Sequence, residues 1–228
     1  MSDSMFELDK LYPLSHGQRA LWFVQRLAPN GVAYNFAHAA RILTELDIPA
    51  FQRAIQQLVM RHPALRTTFP SRDGEPAQRI HDHAEFLFRA EDATRWSEGR
   101  LRERLAEEVY RPFDLSRGPL LRIFLFTQSY REHVILLVTH HIVADLWSVA
   151  VVMSELGALY SAEKYGVHPG LTAPPTHYID YVRQQSESLA GREGERLWAY
   201  WRKRLAGAPP MLNLPTDRPR RPRQLQLE

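Results

Sequence analysis

The sequence contains no cysteine and no long apolar run. Without cysteine, the chain can form neither a disulfide framework nor a zinc–thiolate site, and it has no cysteine nucleophile. No apolar segment reaches the roughly 20 residues that a membrane-spanning helix needs. Residues 1–7 also lack the basic and then apolar order of a secretory signal peptide. These absences favour a cytoplasmic protein that does not enter a membrane.

A large excess of charge of one sign is also missing. The 228 residues include 29 basic and 26 acidic side chains, so the formal charge is only +3. This excess is too small to indicate nucleic acid as a partner. Much of it lies in residues 206–228, where arginine alternates with proline and apolar residues are few. We predict a solvated segment there, after a folded region over residues 1–205.

Two common catalytic signatures are absent. The chain has no Gly-x-Ser-x-Gly turn to expose a serine nucleophile, and Ser148 lies in an apparent helix beside Trp147. The 11 glycines are scattered, so no glycine-rich loop is available to hold a phosphate. The sequence therefore argues against serine hydrolase and nucleotide chemistry, and it leaves Ser148 a capping or packing role.

The spacing of apolar residues alternates between that of helices and that of strands. Helical spacing is found in residues 15–27, 49–62, 97–109, 146–160, 178–189 and 193–205. Extended segments are predicted over residues 36–42, 65–69, 77–81, 85–90, 119–127 and 133–139. The runs 119–127 and 133–139 are almost continuously apolar, which predicts strands covered by helices on both faces. The mixture of elements predicts a layered α/β sandwich.

A histidine pair follows the second of these apolar strands. His140 and His141 stand at the strand end, and Asp145 follows four residues later. His141 should lie near the N-terminus of the next helix, where positive potential favours the neutral ring that can accept a proton. Metal binding by the pair is disfavoured, because adjacent residues on an extended chain point to opposite faces. Asp145 could accept backbone N–H bonds at the helix cap or pair with an arginine. The residues indicate His141 as a candidate general base without identifying the reaction.

The sequence around the pair resembles a known family signature. Residues 140–146 are similar to the His-His-x-x-x-Asp-Gly motif of the condensation domains of nonribosomal peptide synthetases and their acyltransferase relatives. Further segments resemble motifs of the same family in the same order, namely residues 14–23, 61–69, 112–122 and 214–220. Together these five segments extend across nearly the whole chain, which makes the resemblance specific.

The resemblance implies a fold similar to chloramphenicol acetyltransferase, in which two lobes form a V around a substrate tunnel. Residues 1–205 would be the N-terminal lobe, and residues 206–228 would lead to a C-terminal lobe outside this chain. In the family, donor and acceptor carrier proteins present thioesters on 4′-phosphopantetheine arms, and an amine attacks the donor carbonyl to give an amide. The implied partners are these carrier proteins and the C-terminal lobe, with no permanently bound cofactor and no metal. We expect the intact parent to be an enzyme of secondary metabolite or antibiotic biosynthesis, in a nonribosomal peptide or hybrid polyketide synthase, and the lobe alone to be inactive.

The resemblance also implies roles for individual residues. His141 would orient the acceptor amine and either take its proton or act by positioning alone, whereas His140 would point away and pack. Asp145 would form a buried salt bridge, either with Arg66 or with an arginine of the C-terminal lobe.

The residues after Asp145 bear on the subtype. Trp147 and Ser148 match a Trp-Ser pair often found in peptide-forming members, which favours condensation over epimerisation. Leu146 replaces the glycine of the motif, so we expect an altered loop or a narrower pantetheine path. Two alternatives stay open. One is a stand-alone acyltransferase that forms an ester, and the other is a catalytically silent carrier-binding module.

Overall fold

The computed structural model describes residues 11–83, 85–173 and 176–207, together with residues 215 and 217. The strands in these residues are β1 (Leu11–Tyr12), β2 (Asn35–Ile42), β3 (Thr67–Thr68), β4 (Ser71–Arg72), β5 (Glu75–Pro76), β6 (Gln78–Ile80), β7 (Leu87–Asp92), β8 (Leu121–Ser129) and β9 (Glu132–His140). The α-helices are α1 (His16–Leu27), α2 (Ile48–Arg61), α3 (Glu98–Val109), α4 (Leu146–Tyr165), α5 (Tyr178–Ala190) and α6 (Arg192–Leu205). Most of the predicted segment 206–228, including most of the motif at 214–220, lies outside the described residues. The boundary after residue 205 therefore stays a prediction.

A four-stranded sheet forms the centre of the larger of two compact units, which ends at His177. Its strand order is β2–β9–β8–β7. Strand β9 runs antiparallel to both of its neighbours, while β7 runs parallel to β8. Strands β1, β6 and β3 form a second sheet, and β4 pairs with β5. Helices and strands are mixed along this unit, which confirms the predicted α/β class.

Helices cover both faces of the central sheet, as the apolar runs predict. On one face, Leu121, Ile123 and Leu125 of β8 are buried in a cluster with residues of α2 and α4. On the other face, Phe124 and Phe126 pack in a cluster with residues of α1 and α3. Successive residues of a strand point to opposite faces, so one apolar run supplies both cores.

The stretch 65–69, predicted to be extended, begins as a helix. A 3₁₀ helix, Pro63–Arg66, follows α2 directly, and only β3 is extended within the stretch. The proline ring holds φ near the helical value, so the chain can start a new turn as soon as α2 ends. The prediction for residues 65 and 66 is therefore wrong.

Helix α4 has 20 residues and extends beyond the end that the sequence predicts. The apolar spacing stops at Tyr160, but the helix continues to Tyr165. Gly166 then ends it in the left-handed conformation, with φ at 67°, and its N–H donates to the carbonyl of Ala162. Glycine adopts this conformation at little cost and therefore determines the helix end. Neither α4 nor any other helix in the described part is both long and apolar enough to span a membrane.

The smaller unit begins at Tyr178. Its described part contains α5 and α6, which contact each other. Both helices were predicted to within one residue at each end. Helix α6 carries Trp198 and Trp201 as exposed side chains.

Candidate active site

The loop of residues 141–145 joins β9 to α4 and carries His141. Its backbone is held by the residue before β2, since the N–H of His141 donates to the carbonyl of Tyr34 at 2.9 Å. The ring of His141 lies against that of Phe36 on β2, with the ring centroids 6.1 Å apart. The β2 edge therefore fixes both the backbone and the ring of His141, and the residue remains exposed.

One ring nitrogen of His141 is committed to the loop itself. Its Nδ1 lies 2.8 Å from the carbonyl oxygen of Ala144. A carbonyl only accepts hydrogen bonds, so Nδ1 carries the proton in this contact. The neutral ring then presents its lone pair at Nε2, which has no hydrogen-bond partner among the described residues. An exposed lone pair of fixed orientation is suited to accept a proton or to bind an amine N–H.

His140 points to the opposite side of β9 and is only 1% exposed. Its Nδ1 accepts the N–H of Ile142 at 3.1 Å, and its ring meets that of Phe113 edge-on, with centroids 6.3 Å apart. Burial lowers the pKa of His140 to about 4, and the neighbouring His141 adds to this effect. The ring is therefore neutral near pH 7, and it acts on the loop as a hydrogen-bond acceptor.

Asp145 caps α4 and is exposed. Its Oδ1 accepts the backbone N–H of Ser148 at 2.8 Å and the hydroxyl of the same serine at 2.7 Å. The Ser148 hydroxyl in turn accepts the N–H of Asp145 at 3.2 Å, which completes a reciprocal capping box. The hydrogen bonds from Ser148 lower the pKa of Asp145. The described residues show no ion pair between Asp145 and Arg66, because the carboxylate is exposed and takes the capping role that the sequence also allowed. Pairing with an arginine of the C-terminal lobe stays a prediction.

Arg66 lies elsewhere, at the end of the 3₁₀ helix. Its guanidinium donates to the carbonyl of His81, just after β6. Burial lowers the pKa of Arg66, and Asp82 opposes this effect. No hydrogen bond or ion pair joins Arg66 to the loop 141–145 within the part of the chain that the structure describes. Arg66 instead ties the segment after α2 to the second sheet.

Leu146 and Trp147 form the exposed first turn of α4. Their exposed fractions are 71% and 78%, so neither contributes to the core. Among the described non-glycine residues, only Asp73 has a positive φ. Leu146 is the first residue of α4 and its φ is not positive, so its backbone does not need glycine here. Its apolar side chain adds bulk beside the loop that carries His141, and the predicted change in the loop or in the pantetheine path stays a prediction.

We expect Asp145→Ala to lower the free energy of unfolding by about 1 kcal/mol near pH 7, because α4 loses its N-cap. The pKa of this carboxyl is lowered by folding, so its stabilisation is present above the ordinary value of about 4 and is lost as pH falls through the lowered value. Urea unfolding of both proteins near pH 7 and near pH 3 should show the difference shrinking in acid. Asp47→Ala removes the N-cap of α2 and is the matched control for the loss of an aspartate cap at another helix. An unchanged unfolding free energy near pH 7 would contradict the capping role.

Gln18 contacts this loop, although the sequence alone assigned it no role. It is 4% exposed, and its Nε2 donates to the carbonyl of Ile142 at 3.4 Å. The two residues are 124 positions apart in sequence. Two features of the sequence could have identified Gln18. It is a polar residue on the buried side of the amphipathic helix α1, and it lies within the segment 14–23 that resembles a family motif.

In the described residues, His141 belongs neither to a metal site nor to either of two open grooves that share Phe113. No group of three or more His, Cys, Asp or Glu side chains in the described residues is arranged to hold a metal ion. Two open grooves, of about 700 and 650 Å³, both have Phe113 in their walls. His141 lines neither groove and instead lies on an exposed surface at the end of the sheet.

Sequence comparisons point to one family. The family profile described as Condensation domain matches residues 9–228. The chain is 46% identical over 217 residues to one of the linear gramicidin synthase proteins of Brevibacillus parabrevis, with 93% of this chain and 3% of that protein covered. It is 39% identical over 215 residues to phosphinothricin tripeptide synthetase PhsB of Streptomyces viridochromogenes, with 91% and 18% covered. The chain thus spans a small part of these curated relatives.

Solved structures share the fold. The first condensation domain of the calcium-dependent antibiotic synthetase, bound to a substrate analogue, superposes with a TM-score of 0.79 at 25% identity. That match covers 88% of this chain and 48% of the other. The starter condensation domain of the rhizomide synthetase RzmA superposes with a TM-score of 0.81 at 22% identity, covering 89% and 49%. The chain therefore corresponds to about half of each solved domain.

Proposed function

The chain belongs to the condensation domain family, and on this basis we propose that it supplies the lobe that carries the general base of an amide-forming enzyme. The substrates are a donor acyl or peptidyl thioester and an acceptor amine, each attached to a carrier protein. The solved relatives are about twice as long as the part that this chain matches. We therefore assign the activity to a two-lobed protein, in which a C-terminal lobe completes the tunnel, and we expect this lobe alone to be inactive.

The proposed reaction transfers the donor acyl group from sulfur to nitrogen. The acceptor amine attacks the thioester carbonyl, a C–N bond forms, and the C–S bond breaks. The pantetheine sulfur leaves with the electron pair of that bond. The nitrogen must lose one proton, and Nε2 of His141 is the group that we assign to accept it. Transfer of this proton to the leaving sulfur would restore the neutral imidazole and balance the reaction.

The main observation behind this proposal is the hydrogen bond between Nδ1 of His141 and the carbonyl of Ala144. The 2.8 Å contact with the carbonyl of Ala144 orients the ring and, in the neutral form, selects the tautomer with the proton on Nδ1 and the lone pair on Nε2. A base whose lone pair points in a fixed direction loses little entropy when an amine approaches it. The opposite orientation of His140 supports a division of labour, in which one histidine faces substrate and the other holds the loop.

The relatives support the choice of partners. They are named as synthases of linear gramicidin and of phosphinothricin tripeptide. We propose that this chain likewise acts in nonribosomal peptide assembly, with substrates that arrive on 4′-phosphopantetheine arms of donor and acceptor carrier proteins. The same assignment leads us to propose a cytoplasmic location, where such carrier-bound intermediates are made.

An assay with two acceptors tests the proposal. The complete native polypeptide that contains this sequence is given one donor acyl-carrier thioester and either an aminoacyl or a matched hydroxyacyl acceptor on the second carrier. We expect product from the amine acceptor, detected as the extended thioester by mass spectrometry of the intact carrier. Product from the hydroxyacyl acceptor alone would favour the ester-forming acyltransferase. No product with either acceptor would favour the silent carrier-binding module.

A further inference from the structure

We propose that Gln18 is a positioning residue for His141, acting through the peptide group of Ile142. This inference rests on the proposed function, since it concerns the same histidine. Gln18 is not placed to contact a substrate, because its side chain is buried beneath the loop. Its role is to hold the residue that follows His141 in one place.

Two side chains form hydrogen bonds with the backbone of Ile142, one with its N–H and one with its carbonyl. Its N–H donates to Nδ1 of His140 at 3.1 Å, and its carbonyl accepts from Nε2 of Gln18 at 3.4 Å. Ile142 is only 3% exposed, so water cannot readily replace either partner. Buried backbone groups without partners are rare because they lose hydrogen bonds that water provides in the unfolded chain. The loop should therefore shift toward water when the Gln18 donor is removed.

The direction of the Gln18 amide is determined by the cap of α1. Its Oε1 accepts the N–H of Ser15 at 3.0 Å, and the hydroxyl of Ser15 accepts the N–H of Gln18 at 3.1 Å. The oxygen is used by the cap, so the NH₂ group is directed at the loop. Gln18 thus has two separable functions, one through its oxygen in the cap and one through its nitrogen at Ile142.

The substitution Gln18→Glu separates these functions. A glutamate keeps the oxygen that the capping box needs and is itself a preferred residue at this position. Its ionised form has no donor and directs a second oxygen toward the carbonyl of Ile142, and the assay is run at about pH 9 because burial raises the pKa of such a carboxyl. In the complete native polypeptide, we expect kcat for amide formation to fall by about tenfold or more with KM nearly unchanged, because the base is misplaced after substrates bind. The thermal unfolding midpoint should also fall, because a buried carboxylate then faces a carbonyl oxygen, and the assay is run well below that midpoint.

Amide hydrogen exchange gives a second readout that does not depend on turnover. In Gln18→Glu, exchange at residues 142 and 143 should become about tenfold faster, while exchange within α1 stays at the wild-type rate. Ser15→Ala is the matched control, since it removes the cap of α1 and keeps the donor to Ile142. We expect this control to lower the thermal midpoint and to retain wild-type kcat.

The outcomes distinguish this inference from the proposed function. Wild-type exchange at residues 142 and 143 in Gln18→Glu, or wild-type kcat alongside an inactive His141→Ala protein, would overturn the positioning role alone. Full turnover by His141→Ala would overturn the proposed function. In that case, faster exchange in Gln18→Glu would still show that the hydrogen bond from Gln18 to Ile142 stabilises the loop.

Discussion

Replacing His141 with alanine is expected to reduce the rate of amide formation by about 10²–10⁴-fold, the range associated with a positioned general base. The residue is exposed, and in the described chain its side chain makes one hydrogen bond, to Ala144. Little packing is lost, so folding should be retained. Single-turnover assays of the complete native polypeptide with both carrier-bound substrates measure the effect, and circular dichroism with a thermal melt checks the fold.

The exposed His168 provides a matched control for this substitution. Its Nδ1 accepts the N–H of Gly170, so it also makes one local hydrogen bond, although Nδ1 of His141 donates instead of accepting. His168→Ala should turn over at the wild-type rate. If His141→Ala also keeps the wild-type rate, the base assignment fails. A similar loss in both variants would indicate a general effect on the fold.

The second large effect is an acid sensitivity that comes from His140. Burial lowers the pKa of this ring to about 4, whereas the ordinary value is about 6.5. Below pH 6.5 the unfolded chain binds a proton that the folded chain does not bind, so unfolding becomes easier. The free energy of unfolding therefore keeps its full value above about pH 6.5 and decreases as pH falls toward about 4. The total decrease in the free energy of unfolding is about 3 kcal/mol, at about 1.4 kcal/mol for each pH unit in that interval.

His140→Asn should remove this sensitivity. Asparagine has no titration in this range, and its side-chain oxygen can take the place of Nδ1 as the acceptor for Ile142. Urea unfolding at a series of pH values would show the wild-type protein losing about 3 kcal/mol more than the variant between about pH 7 and about pH 4. Parallel pH profiles for the two proteins would rule out His140 as the source of the acid sensitivity.

Features that depend on local sequence were predictable. The cap at Ser15 follows from short-range hydrogen bonds, and the sheet core follows from apolar runs such as residues 133–139. The opposite directions of His140 and His141 follow from the two-residue repeat of a strand. Each of these features depends on residues within a few positions of one another, so a single sequence contains enough information.

Partner choice across long separations was not predictable in the same way. The sequence left Asp145 two kinds of partner, the cap of the next helix or an arginine from Arg66 or the C-terminal lobe, and the fold directs its carboxylate to the serine three residues later. The hold of Gln18 on Ile142 depends on where α1 packs against the sheet, which no local pattern encodes. Both cases involve a polar group with several possible partners, and only the packed fold decides between them.

The position of β9 has a consequence for how the site opens. This strand is hydrogen-bonded to β2 on one edge and to β8 on the other, along almost its entire length. Local unfolding that exposes its end must break bonds on two sides, so it should require nearly the full free energy of global unfolding. The first turn of α4, with Leu146 and Trp147 exposed, can fray at much smaller cost. The histidine thus follows a strand that is paired on both edges, while the exposed apolar turn beside it can change conformation more easily.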